Sequence, residues 1–322
     1  MKIRKSTPYL EATHKLKEAI QNTFVYKHKG SLPSAPRKMI IACTDRRFYA
    51  GGMCDRFKGM VSAYAWAKAN GYEFRISHSF PYELHDFIDC ASYDWTLKPD
   101  EMSPYAADAR MLYARGERTG RRLTGYRPDG RQVHYFGNMD VVEQINGTFG
   151  TDYDWGTLFR ELFKPGKALQ EEIDRYTPEV PYVSASFRFQ HLLGDFDEKL
   201  AKKIKNAEQR DKYIKCCLDA IHKIKAMNPG KMVLVASDSG TFVEEALKIG
   251  GVFAVPGQRV HIQFDTNARS SAYLKTFLDF YLLAGAEKLY RVCAGSMYST
   301  QFPLCASRIN NRELIDLRVE LD

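Results

Sequence analysis

The residues best suited to chemistry stand just after short apolar runs. The run YVSASF, residues 182–187, is followed by Arg188, and a guanidinium can grip a diphosphate with two parallel N–H donors. The run MVLVA, 232–236, is followed by Ser237, Asp238, Ser239, Gly240 and Thr241. The run KLYRVC, 288–293, leads into Gly295, Ser296, Met297, Tyr298, Ser299 and Thr300. Both segments are rich in hydroxyls and open a helical pattern, which suits ribose and phosphate recognition and also suits plain helix capping. A fourth run, KMIIAC at 38–43, is followed by a loop that ends in Gly51 and Gly52, with Asp55 and Arg56 in the next turn. Paired glycines let a backbone approach a ligand closely, and a helix start presents unpaired N–H groups.

These segments need a scaffold that brings strand ends together. The continuous apolar runs KMIIAC and MVLVA read as buried strands, and 182–187 and 288–293 read as further strands. Between them lie helical patterns at 54–70, 207–224, 241–249 and 271–283, and further strands at 73–77 and 251–255. Residues 103–114, 154–174 and 298–307 also carry helical spacing. Strands alternating with helices in two blocks predict an α/β protein of two Rossmann-like domains, 1–176 and 177–322, facing a cleft. Ligands then bind outside the carboxyl ends of the strands.

Composition narrows the class. The 322 residues are 44% hydrophobic and 27% charged, with aromatics at 13%, which excludes long disorder. Lys and Arg exceed Asp and Glu by 47 − 39 = 8, a balance that favours an anionic partner. Nucleic acid is disfavoured, because the basic residues are dispersed and no helix-turn-helix, zinc-finger or RNP-like pattern occurs. Seven cysteines with no CxxC pair argue against a disulfide framework and a structural zinc. No apolar run approaches membrane-spanning length and the opening stretch has no signal core. The expectation is a soluble, cytoplasmic protein, with peripheral association at the inner membrane surface as an option.

Other motifs are weaker. Neither GxGxxG nor GxxxxGK[ST] occurs, so a dinucleotide fingerprint and a P-loop find no support. Asp195-Phe196-Asp197 matches a metal-binding DxD pattern, but lies in a run that reads as a solvated helix start. The loop 116–131, with Arg118, Arg121, Arg122, Arg127 and Arg131, reads as solvated or as a contact for an acidic acceptor. Asp55, His85, Asp86 and His191 are chemically able to act as a general base.

The order of the motifs resembles the GDP-fucose-dependent fucosyltransferase superfamily of the GT-B type, which includes the α-1,2-, α-1,6- and protein O-fucosyltransferases and the Nod-factor enzyme. The resemblance runs from about Gly51 to Ala306. It rests on GGMCDRFKG before an Ala/Tyr-rich helix, the strand ending in Arg188, VLVASDS, LDFYLL and GSMYS. It implies inverting, metal-independent transfer of fucose from GDP-fucose to a glycan or lipid-linked glycan hydroxyl. Arg188 matches the arginine that binds the donor's β-phosphate. Ser186 stands where the family has a histidine that contacts guanine. Asp238 matches the acid after the second strand, and Asp279 the helix acid that contacts the base. Ser296 and Ser299 match the serine-rich loop at the pyrophosphate, with Met297, Tyr298 and Thr300 beside them. Ser237, Ser239 and His261 are further donor-side candidates. Gly51, Gly52, Asp55 and Arg56 fall where the family's N-terminal loop reaches sugar and acceptor. A transferase for another GDP-sugar, or a non-catalytic relative, shares these motifs.

Overall fold

The computed structural model describes residues 12, 13, 16, 19, 20, 23–45, 48, 50–114, 119–195, 204, 206–257 and 270–321. The described residues up to Lys164 form one compact unit, and those from Pro165 onward form another. The second unit begins earlier than residue 177 because the helix after Pro165 packs on a helix of that unit.

The first unit is built on strands β1 (Met39–Cys43), β2 (Glu73–Ser77), β4 (Ala109–Ala114) and β5 (Gln132–Gly137), in the order β2-β1-β5-β4. All three pairings are parallel. A short strand β3 (Ile88–Cys90) pairs separately with β6 (Phe163–Pro165). The five side chains of β1 are buried, as its unbroken apolar run requires of a strand flanked on both sides and covered on both faces.

Helix α1 (Met53–Asn70) starts at Gly52 and stops at Gly71, whose φ of 63° is the left-handed conformation that ends helices. It crosses β5 so closely that a Cβ at Gly59 would lie 2.0 Å from the Gly137 carbonyl oxygen. Its apolar residues meet α2 (Thr119–Thr124), α3 (Val142–Phe149) and α4 (Trp155–Leu162). Phe57 packs edge-on against Phe159 at 5.0 Å.

The second unit opens with α5 (Lys167–Tyr176) and holds the sheet β11-β10-β7-β8-β9, all parallel. The strands are β7 (Tyr182–Phe187), β8 (Met232–Ser237), β9 (Val252–Phe253), β10 (Lys288–Ala294) and β11 (Glu313–Val319). Helix α6 (Ala207–Met227) buries Tyr213, Cys217, Ala220, Ile221 and Ile224, a stripe of three- and four-residue steps. The stripe joins one core with Val183, Ala185 and Phe187 of β7 and Val233 and Val235 of β8. The other face of β7 meets α8 (Ser270–Gly285), where Tyr182 Oη donates to the Leu282 carbonyl at 2.8 Å. Between the strands lie α7 (Gly240–Ala246) and, after β10, α9 (Phe302–Ile309).

Four sequence expectations need correction, the first being the loop at 116–131, within which Thr119–Thr124 form α2. Residues 109–114 form β4 and not a helix; ARMLYA has good helix formers, but pairing along β5 outweighs a propensity difference of tenths of a kcal/mol per residue. The helical stretch 154–174 is broken by β6, which ends at Pro165, and by Gly166, the N-cap of α5. The last helix starts at Phe302, leaving 298–301 as loop. The strands β5 and β11 were not foreseen.

Candidate functional site

In a parallel sheet every strand delivers its carboxyl end to the same edge, so the loops after β7, β8 and β10 become neighbours. Arg188, the first residue after β7, places Nη1 3.0 Å from Asp238 Oδ2, in the loop after β8. The Asp238 side chain is fully enclosed and that of Arg188 is 15% exposed. Asp238 also accepts the N–H of Phe189 at 2.8 Å and of Gln190 at 2.7 Å. Gln190 there has φ 56°, a left-handed conformation unusual for a side chain of this kind. Tyr298 N donates to the Arg188 carbonyl at 3.2 Å, which ties the loop after β10 to the same point.

The hydroxyls of the β8 loop serve the backbone. Ser237 Oγ accepts from Ser239 N at 3.1 Å. Ser239 Oγ accepts from Phe242 N at 3.1 Å, the capping bond of α7, and donates to Asp195 Oδ2 at 2.7 Å. Asp195 also accepts Thr241 N at 2.9 Å. Phe196 and Asp197, the rest of the DxD pattern, lie outside the described residues.

The β10 loop is divided. Gly295, at φ 47°, has no room for a Cβ, which would stand 2.6 Å from Tyr213 Oη. Ser296 N donates to that phenol at 3.1 Å, and Ser296 Oγ lies 3.0 Å from it. Met297 is buried in the core. Tyr298 and Ser299 are exposed. Thr300 Oγ1 accepts from Phe302 N at 3.2 Å. Ser299 also lines a hollow of about 580 Å³ with Arg291, Cys293, Asp316 and Arg318. Arg291 Nη2 is fixed there by Asp316 at 2.7 Å. Burial pushes the Cys293 thiol up, away from thiolate chemistry.

Asp279 sits in α8, fully buried, with Lys275 Nζ 2.9 and 3.1 Å from its two oxygens. Ser186 and Ser184, on the β7 face toward α8, are buried, and their Oγ atoms have no hydrogen-bond partner among the described residues. His261 lies outside the described residues.

In the first unit, Gly51 at φ 81° lies under Asp55, whose carboxylate would stand 2.4 Å from a Cβ there. Asp55 is paired with Lys58 at 2.8 Å, and Gly52 opens onto free space. Arg56 is buried: Nε donates to the Gly51 carbonyl at 3.2 Å and Nη1 to the Phe80 carbonyl. His78 lies 3.3 Å from Nη1 through Nε2 and 3.0 Å from the Tyr82 carbonyl through Nδ1. A carbonyl only accepts, so Nδ1 carries the proton and Nε2 accepts from Arg56. Burial, reinforced by Arg56, pushes the His78 pKa down to about 3. Arg56 therefore fixes the loops after β1 and β2 in place. His85 stacks on Trp95 at 4.3 Å, Asp86 is exposed, and His191 follows the Gln190 turn.

No protein-family model matches the sequence, and no curated protein matches it. Solved structures do. A variant of Arabidopsis thaliana FUT1 in complex with GDP superposes with a TM-score of 0.59 at 13% identity, covering 98% of this chain and 80% of that one. The fucosyltransferase NodZ from Bradyrhizobium gives 0.54 at 13% identity, over 85% of this chain and 92% of its own. NodZ α-1,6-fucosyltransferase soaked with GDP-fucose gives 0.51 at 13% identity, over 84% and 92%. The chain shares the fold of these structures. The α/β architecture implied by the motifs is thus the one found. Within this fold, the strand-end loops bring Arg188, Asp238 and the backbone of Tyr298 together. Ser237, Ser239, Ser296 and Asp279 have partners inside the protein. Sequence reasoning missed Tyr213 and Gln190. Tyr213 sits in an ordinary apolar stripe, and nothing in the type of Gln190 announces a left-handed residue.

Proposed function

We propose that this protein is an inverting glycosyltransferase that moves fucose from GDP-fucose to a glycan or glycolipid hydroxyl. One observation carries the reading: a guanidinium held at the carboxyl end of a central parallel strand, in a fold shared with a structure in complex with GDP and one soaked with GDP-fucose. The acceptor oxygen attacks the anomeric carbon as the bond to the diphosphate breaks on the opposite face. Negative charge grows on the departing GDP, and a fixed guanidinium stabilises that charge more than the ground state. With Arg188 supplying the positive charge, the reaction needs no metal. Exposed Ser299 and Tyr298 stand beside the strand end as further donors.

A second reading is favoured by Asp279 and Ser186. The carboxylate is engaged by Lys275 and a serine replaces the family's histidine, so the base or sugar pocket differs from that of the resembled enzymes. Another GDP-sugar, or binding without transfer, fits that difference. Calorimetric titration with GDP and UDP, followed by fucose release from GDP-fucose with and without acceptor, separates the readings. Arg188→Ala is expected to lower turnover by ~10²–10³ with unchanged circular dichroism. Near-normal turnover in that variant removes Arg188 from the mechanism.

A further inference from the structure

Two carboxylates cross between the loops that follow β7 and β8. Asp238, after β8, holds the N–H groups of Phe189 and Gln190, after β7, at 2.8 and 2.7 Å. Asp195, after β7, holds Thr241 N at 2.9 Å and the Ser239 hydroxyl at 2.7 Å, after β8. Each loop is thus fastened by an acid from the other.

We infer that this reciprocal clasp is the device that aims Arg188, with Asp238 as a positioning residue that acts through the guanidinium and not as a ligand of the donor. The inference rests on the reading of Arg188 as the diphosphate-binding group. The Asp238 side chain has no exposed surface, and its two oxygens receive two backbone donors and Arg188 Nη1. A carboxylate repels a diphosphate, so its route to the ligand runs through the arginine. A long, flexible side chain fixed before the ligand arrives loses less freedom on binding. The local backbone carries the same mark. Phe189 is buried in the core and Gln190 is left-handed, a combination that persists only where its surroundings enforce it. Asp238 is the group that enforces it.

Asparagine at 238 keeps the shape but loses the charge, and its amide group faces a donor wherever it turns. The test is a double-mutant cycle on the full chain, read as GDP affinity by calorimetry, with melting temperature and circular dichroism as controls. Loss of a charged hydrogen-bond partner corresponds to ~10–100-fold in affinity. Arg188→Ala and Asp238→Asn are each expected to weaken GDP binding by about that range. The double variant should fall within about twofold of Arg188→Ala, because partners in one network do not add. Independent, additive losses, or wild-type affinity in Asp238→Asn, overturn the positioning role. Unchanged affinity in Arg188→Ala instead overturns the functional reading beneath it. If Asp238→Asn does not fold, the same cycle is run on a Gln190→Gly chain, whose left-handed turn needs no carboxylate.

Discussion

Acid should weaken the first unit through one enclosed ring. His78 is neutral in the fold, with its pKa pushed down to about 3 by burial and by Arg56. In the unfolded chain it titrates near 6.5. Between those values the unfolded state binds a proton that the folded state does not, so the contribution is complete above pH 6.5 and is lost as pH falls. At pH 5 the loss is about 2 kcal/mol, and it keeps growing as pH falls toward 3. The three tryptophans, Trp66, Trp95 and Trp155, are all buried in this unit, so their fluorescence follows its unfolding separately from the second unit. Urea titrations at pH 7, 6 and 5 should show the midpoint falling, and His78→Gln should flatten that fall by about 2 kcal/mol between pH 7 and 5. Glutamine can still donate to the Tyr82 carbonyl and accept from Arg56. Parallel pH profiles for the two proteins would show that the ring does not control acid stability.

Gly59→Ala is expected to destabilise the same unit by ~3 kcal/mol or more, since its Cβ would stand 2.0 Å from the Gly137 carbonyl oxygen; an unshifted tryptophan-detected urea midpoint would contradict this. Lys275→Met alone should destabilise the second unit by ~3 kcal/mol, because it removes the ammonium that bonds both oxygens of the buried Asp279 carboxylate. Lys275→Met with Asp279→Leu should recover most of that loss, as measured by thermal melting of the second unit.

The sequence carried the frame of the second unit well. YVSASF, MVLVAS and KLYRVCA are short, β-rich and mostly apolar because each lies between two other strands, and the turn residues that bound them mark them as strands. The edge strand β11 was missed although ELIDLRV alternates, with Ile315, Leu317 and Val319 turned to the core; that period-two pattern was the available signal. QVHYFG was hidden because His134 and Gln132 are buried polar residues, satisfied by Tyr26 at 2.7 Å and by Ser103 N at 3.0 Å. Residue type placed Arg188 and Asp238 at strand ends, but not their mutual contact, which depends on strand order. Arg56 looked like a ligand group and is a buried brace, because its partners are carbonyls and a ring brought in by another loop.

The all-parallel order of the second sheet has a kinetic consequence. Parallel neighbours are never joined by a tight turn, so each pairing closes a long stretch of chain before any contact rewards it, which makes assembly slow. The strand β7 lies between β8 and β10, one of them drawn from far downstream. The guanidinium at its end therefore gains its surroundings only when the last central strand has docked. Recovery of nucleotide binding should lag the return of helical signal during refolding, and fragments that stop before β10 should lack that binding altogether.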